Sequence, residues 1–117
     1  MVNKKSYEGG FKLKIKKSVA YYSTGNIWNI LWHKEGDIGY LHKENGPACI
    51  WYYDTGKLSY EAWWVENKRH KIDGPACIDY DEDGTIIDKE YYINGENLTK
   101  EQWQEYLIKE AMKEALK

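Results

Sequence analysis

The chain has 117 residues, a formal net charge of −2, and six Trp and eleven Tyr against a single Phe. That length suits one domain with a thin core, and no run of about 18 apolar residues is present to span a bilayer as a helix. Charge is unevenly placed: residues 1–17 carry six lysines against Glu8, while the remainder carries eighteen carboxylates against eleven lysines and arginines. An acidic body argues against a primary nucleic-acid grip and leaves the lysine-rich start as the only candidate for one.

Met1-Val2-Asn3-Lys4-Lys5 leads into a charged strand rather than a signal-peptide core, so a cytoplasmic protein without a membrane span is expected. Residues 1–17 read as a basic arm and first strand. Within it, Phe11-Lys12-Leu13-Lys14-Ile15-Lys16 alternates apolar with Lys, the pattern of a strand wet on one face whose lysines protect an edge.

From residue 19 to residue 95 the chain repeats itself. Gly46-Pro47-Ala48-Cys49 returns 28 positions later as Gly74-Pro75-Ala76-Cys77, each preceded by a His-Lys pair, His42-Lys43 and His70-Lys71. Aligned on Gly25, Gly56 and Gly84, the positions six before the glycine hold Val19, Ile50 and Ile78, and four before it Tyr21, Tyr52 and Tyr80. Seven after it stand Trp32, Trp63 and Tyr91, and the first copy fits with a three-residue insertion near Ile38-Gly39-Tyr40. A fixed period of this size predicts a repeat architecture.

Each of the three glycines closes a turn: Ser23-Thr24-Gly25, Asp54-Thr55-Gly56 and Glu82-Asp83-Gly84. A two-residue type I′ turn would place β-branched Thr24 and Thr55 at positive φ, so a three-residue loop with glycine in a bulge is preferred. That choice pairs Tyr52 with Leu58 and Ile50 with Tyr60. It groups Ile50, Tyr52, Leu58, Tyr60 and Ala62 on one face and Trp51, Tyr53, Ser59, Glu61 and Trp63 on the other. A slip of one residue would regroup the second strand of every hairpin. The Gly-Pro pairs separate the hairpins, because proline has no ladder donor.

After Asn94-Gly95 the period changes from two to 3.6. Thr99 and Gln102 form a capping box, Leu98 and Trp103 a hydrophobic staple, and a helix over residues 99–116 is predicted with Trp103, Leu107, Ile108, Ala111, Met112 and Ala115 on one stripe.

Cys49 and Cys77 fall at the same place in successive repeats. Equivalent strands of a meander lie two spacings apart, roughly 9–10 Å, beyond the reach of a disulfide, so both read as free packed thiols. His33, His42 and His70 are too scattered for a metal site, and no cofactor is implied.

The frame from His42 to Tyr52, then Gly56, the paired aromatics Trp63-Trp64, and Tyr91-Tyr92-Ile93-Asn94-Gly95 in the last copy resembles a divergent MORN-type repeat. The resemblance covers roughly residues 19–95 and implies consecutive β-hairpins in an extended antiparallel sheet. Such repeats occur in large DNA viruses, bacteria and phages, and include an antitoxin-like group. The pattern brings no catalytic residues with it.

Residues 79–90 match the spacing of a calcium loop, with Asp79, Asp81, Asp83 and Glu90 at anchor positions and Gly84 at the sixth. The repeat frame makes the same stretch a hairpin, and Gly74-Pro75 forbids the entering helix. The aromatic set is the stronger lead. One helix covers one sheet face, yet both faces of the first two repeats carry rings, so a partner-binding surface is expected around Trp28, Trp51, Tyr53, Trp63 and Trp64 with Asp79 and Asp81 at its rim.

No nucleophile stands beside a base in a defined motif, so no catalytic residue is proposed and an enzyme is not expected. The reading is therefore a single α+β domain, mainly β, of about seven strands with one C-terminal helix packed on a face. Its expected function is non-catalytic binding of a protein partner, as a phage- or mobile-element-encoded inhibitor of a bacterial defence or toxin protein. The alternatives are a self-assembling repeat, including a homodimer, and a calcium-binding module.

Overall fold

The computed structural model describes residues 13–117. Residues 1–12, including Phe11 and Lys12 of the basic arm, lie outside the described residues, while Ile15, Lys16 and Lys17 open the first strand. The fold is α+β and mainly β: ten strands followed by one helix, α1 (Lys100–Ala115).

The strands are β1 (Ile15–Tyr21), β2 (Ile27–Lys34), β3 (Asp37–Leu41), β4 (Cys49–Tyr52), β5 (Leu58–Ala62), β6 (Trp64–Val65), β7 (Lys68–Arg69), β8 (Cys77–Tyr80), β9 (Ile86–Ile93) and β10 (Glu96–Leu98). Seven follow one another in an antiparallel sheet, β1-β2-β4-β5-β8-β9-β10, with β3 beside β2 and β6–β7 as a separate hairpin. The extents are 55 × 39 × 20 Å. A radius of gyration of 16.5 Å exceeds the roughly 13 Å of a compact chain of this length, as expected of repeats stacked in a line. The 20 Å dimension leaves room for one sheet and its side chains, not for a sandwich.

The turns form as the glycines require. In each long hairpin the glycine N–H bonds to the carbonyl three residues before it, Gly25 to Tyr22, Gly56 to Tyr53 and Gly84 to Asp81. Their φ values of 96°, 93° and 88° are open to glycine at little cost. The three-residue insertion also lies where the spacing placed it. His33 pairs with Leu41 and Lys34 with Asp37, leaving Ile38, Gly39 and Tyr40 looped out.

The register differs from expectation one step beyond the turn. Tyr52 does pair with Leu58, but Trp51 then pairs with Tyr60 and Ile50 with Glu61, so Ser59 is an extra residue. Trp28 and Ile87 are the extra residues at the same place in the other two hairpins. This second bulge swaps the faces of the returning strand. One face, here the first, carries the rows Leu31–Cys49–Ala62–Cys77–Glu90 and Asn29–Trp51–Tyr60–Asp79–Asp88. The opposite face carries Ile30, Ile50, Glu61, Ile78 and Lys89.

The repeats are joined by bonds that recur with them. Tyr22 Oη donates to the Tyr52 carbonyl and Tyr53 Oη to the Tyr80 carbonyl, each at 2.7 Å. His42 Nδ1 accepts the Glu66 N–H at 2.8 Å, and His70 Nδ1 the Asn94 N–H at 3.0 Å. Each histidine thus ties down the first turn residue of the next short hairpin, Glu66 or Asn94, both at φ 49°. On the second face the Lys43 ammonium sits 4.1 Å from the Trp32 ring and that of Lys71 3.7 Å from Trp63. Gly46 and Gly74 leave room for those lysine side chains.

At the third repeat the position of Trp32 and Trp63 is held by Tyr91, and Trp103 of α1 packs on it at 4.9 Å between centroids. The helix therefore closes the end of the array, packed on the second-face side chains of β9 and against β10, and leaves the rest of the sheet uncovered. The capping box of Thr99 and Gln102 forms as expected. Of the predicted stripe only Trp103 is buried, while Ile108 and Met112 are 60% and 58% exposed, because β9 and the short β10 are too narrow to cover 16 helical residues.

The histidine ties predict a pH effect. Burial holds His70 below the usual histidine range, so the folded protein binds this proton less readily than the unfolded chain. The stability carried by neutral His70 is therefore present above about pH 6.5 and declines as pH falls through the lowered folded value. Urea midpoints measured between pH 7.5 and 5 should fall more steeply for the parent than for His70→Ala. Equal slopes would show that the bond to Asn94 carries no linkage.

Candidate protein interface

The second bulge decides what the sheet presents. Trp28, as the extra residue of the first hairpin, reaches the first face, where its ring meets Trp51 edge-on at 5.2 Å and Tyr22 at 6.3 Å. Trp28 is 41% exposed. Tyr60 stands directly across from Trp51, and Asp79 across from Tyr60 on the next strand. The rings and the carboxylate thus share one row. The helix packs against Tyr91 and Ile93, which point to the other face.

Beneath the rings lies a small-residue core of Cys49, Ala62 and Cys77. Both cysteines are free and buried. Burial raises each thiol above its ordinary value, and the Trp51 indole N–H donates to Cys49 Sγ at 2.9 Å. Tyr60 is itself pushed well above the usual phenol range, chiefly by burial. These are packing groups rather than nucleophiles.

The sequence-derived site residues divide. Trp28 and Trp51 are in contact on the first face, and Asp79 lies on the same face two strands beyond Trp51, with Tyr60 between them. Trp64 also lies on that side, packed against the Cys49–Ala62–Cys77 core. There the Arg69 guanidinium sits 5.1 Å from the Trp64 ring and 5.2 Å from that of Tyr92, donating to Tyr92 Oη at 3.1 Å. Trp64 Nε1 and Arg69 Nε are buried without a partner in this stack.

Trp63 belongs to the opposite side, under Lys71, where with Lys43, Val65 and His70 it lines a cleft of about 530 Å³. Tyr53 spends its hydroxyl on the neighbouring hairpin. Asp81 closes its own loop, its carboxylate accepting the N–H groups of Asp83 at 2.8 Å and Thr85 at 3.0 Å.

The calcium spacing does not become a calcium site. Residues 79–90 form the β8–β9 hairpin, and among the described residues no three His, Cys, Asp or Glu side chains converge on a point that could hold a metal. Asp79, Asp81, Asp83 and Glu90 are spread along strands and loop instead of wrapping one centre.

Two residues of the face escaped the sequence reading. Tyr60 is expected from sequence on the opposite side from Trp51, and Asp88 is not singled out there. The bulge, which leaves no mark at Ser59 or Ile87, hides both. The pairing Asp79↔Asp88 is visible only once the register is known.

No protein-family model matches the chain, and no curated protein and no solved structure matches it. The resemblance to MORN-type repeats rests on the sequence words alone. None of the helices among the described residues is long and apolar enough to cross a membrane.

Proposed function

We propose that the chain is a non-catalytic protein-binding module that engages its partner through the first sheet face. The observation that carries this is the cluster of Trp28, Trp51 and Tyr22, with Trp28 standing open at a bulge beside the Asp79 row and the helix seated elsewhere. Tryptophan and tyrosine are the side chains that concentrate binding energy at interfaces, and an exposed ring at a strand irregularity is poorly explained by folding alone. The resemblance narrows the proposal to a phage- or mobile-element-encoded inhibitor of a bacterial defence or toxin protein.

The test compares faces. Capture of a partner from bacterial lysate should be lost with Trp28→Ala and retained with Trp63→Ala, since Trp63 lies on the other side. Equal recovery by the parent and Trp28→Ala contradicts the proposal.

Self-association is the second reading, favoured by Ile108 and Met112 on α1 and Leu116 at its C-cap, exposed by 60%, 58% and 84%. Light scattering decides it: a concentration-independent monomer excludes it, and a dimer lost with Ile108→Glu supports it.

A further inference from the structure

We infer that the first face selects a protein segment presenting arginine or lysine side chains, with the rings of Trp28, Trp51 and Tyr60 and the carboxylates of Asp79 and Asp88 as its two halves. The inference rests on the protein-binding proposal and names the chemistry of the partner.

The argument begins with a substitution inside the repeat. Five before and four after the turn glycine, the second repeat has Trp51 and Tyr60, and these face one another across the ladder. The third repeat has Asp79 and Asp88 at the same positions, again directly opposed. A ring pair across antiparallel strands stabilises a sheet, whereas two carboxylates there repel. Burial raises the Asp79 carboxyl, and the Asp88 carboxylate raises it further. Among the described residues no lysine, arginine or histidine forms an ion pair with Asp79, Asp88 or Glu90. Among the described residues the fold thus holds a like-charge pair with no ion-pair partner, immediately beside a row of rings.

Adjacency is what gives this arrangement a ligand. Tyr60 pairs with Asp79, so the strands that carry ring and carboxylate are one spacing apart, about 4.8 Å, and Trp51 is one strand beyond Tyr60. A guanidinium or ammonium group stacks on an aromatic face and pairs with a carboxylate, and arginine does both at once through its planar fork. The acidic loop Asp81-Glu82-Asp83 extends the negative field from the same hairpin. A metal ion is a poorer occupant, since no third ligand converges with the pair. Nucleic acid is repelled by the same charges.

The probe peptides are octa-arginine, octa-lysine and neutral octa-citrulline, titrated calorimetrically at about 150 mM salt, where long-range steering is screened. The parent should bind the arginine and lysine peptides and not the citrulline peptide. Asp79→Asn/Asp88→Asn should weaken arginine binding about tenfold or more, and Trp28→Ala should weaken it as well. Glu101→Gln/Glu105→Gln, which removes the same charge from the exposed helix, should leave it within about twofold.

Equal losses in the two double variants, or citrulline binding as tight as arginine, overturn the inference. The Asp79→Asn/Asp88→Asn protein should also melt a few degrees higher than the parent, because the repulsion is gone; a lower melting point contradicts the premise. In lysate capture, a partner lost with Trp28→Ala but kept undiminished by the Asp79→Asn/Asp88→Asn protein overturns the cationic preference and leaves the protein-binding proposal standing. Retention by both overturns both.

Discussion

Trp103→Ala is expected to destabilise the protein by about 3–5 kcal/mol, the range for deleting a buried tryptophan. Trp103 is the one buried side chain of α1. Its ring packs on Tyr91 and Ile93, with Leu98, Tyr106 and Leu107 around it, and its indole N–H donates to the Lys71 carbonyl at 3.0 Å. The rest of the helix has little to hold it in place. Its ion pairs, Glu105–Lys109, Glu110–Lys113 and Glu114–Lys117, are exposed and lie within the helix, so they contribute only tenths of a kcal/mol and nothing to docking.

A helix of 16 residues is marginal alone in water, so losing Trp103 releases it from the sheet and uncovers Tyr91 and Ile93 at the end of the array. Urea unfolding followed by far-ultraviolet circular dichroism should show a lower midpoint and a loss of helical signal before the sheet melts. Ile108→Ala, at an exposed position of the same helix, should stay within about 0.5 kcal/mol of the parent. A Trp103→Ala cost below about 1 kcal/mol would mean that the helix does not close the array.

Ala62→Leu is expected to destabilise by about 1–3 kcal/mol through overpacking. Ala62 has no exposed surface and lies between Cys49 on one neighbouring strand and Cys77 on the other. Leu31, Leu41, Trp51, Tyr60, Trp64 and Tyr92 pack around this trio. A leucine there must displace the rings above it, so the variant should lose partner binding along with stability. Ala115→Leu, at an exposed helix position, adds the same carbons where nothing resists them and should be close to neutral. A neutral Ala62→Leu would show that the sheet does not depend on small residues beneath its aromatic row.

Much of the fold was legible because its signals are local. Glycine at positive φ, the Gly-Pro breaks and the capping box each specify backbone within a few residues, and the 28-residue period announces the array. The looped-out Ile38-Gly39-Tyr40 was legible as a mismatch in that period.

What escaped depended on the ladder. Ser59 and Ile87 fit a strand whether they pair or bulge, so the sequence offers no choice between registers differing by one residue, and the face carrying Trp51 was assigned the wrong companions. The place of the helix was hidden for a related reason. Its apolar stripe predicts that something covers it, not how wide that surface is, and Tyr91 and Ile93 on β9 suffice for Trp103 alone. The site was read as a set of residue types and emerged as a subset. Trp28, Trp51 and Asp79 share one face, Trp63 departs to the other, Tyr53 is occupied in holding hairpins together, and Asp81 closes its own loop.

The most direct measurement of the central claim is site-specific photocrosslinking. A benzophenone side chain is installed in place of Trp28 on the first face, or in place of Trp63 on the second, and each protein is irradiated in lysate that contains the partner. A covalent adduct from position 28 and none from position 63 is the expected result. Crosslinking from position 63 alone would place the partner on the opposite side of the sheet and contradict it.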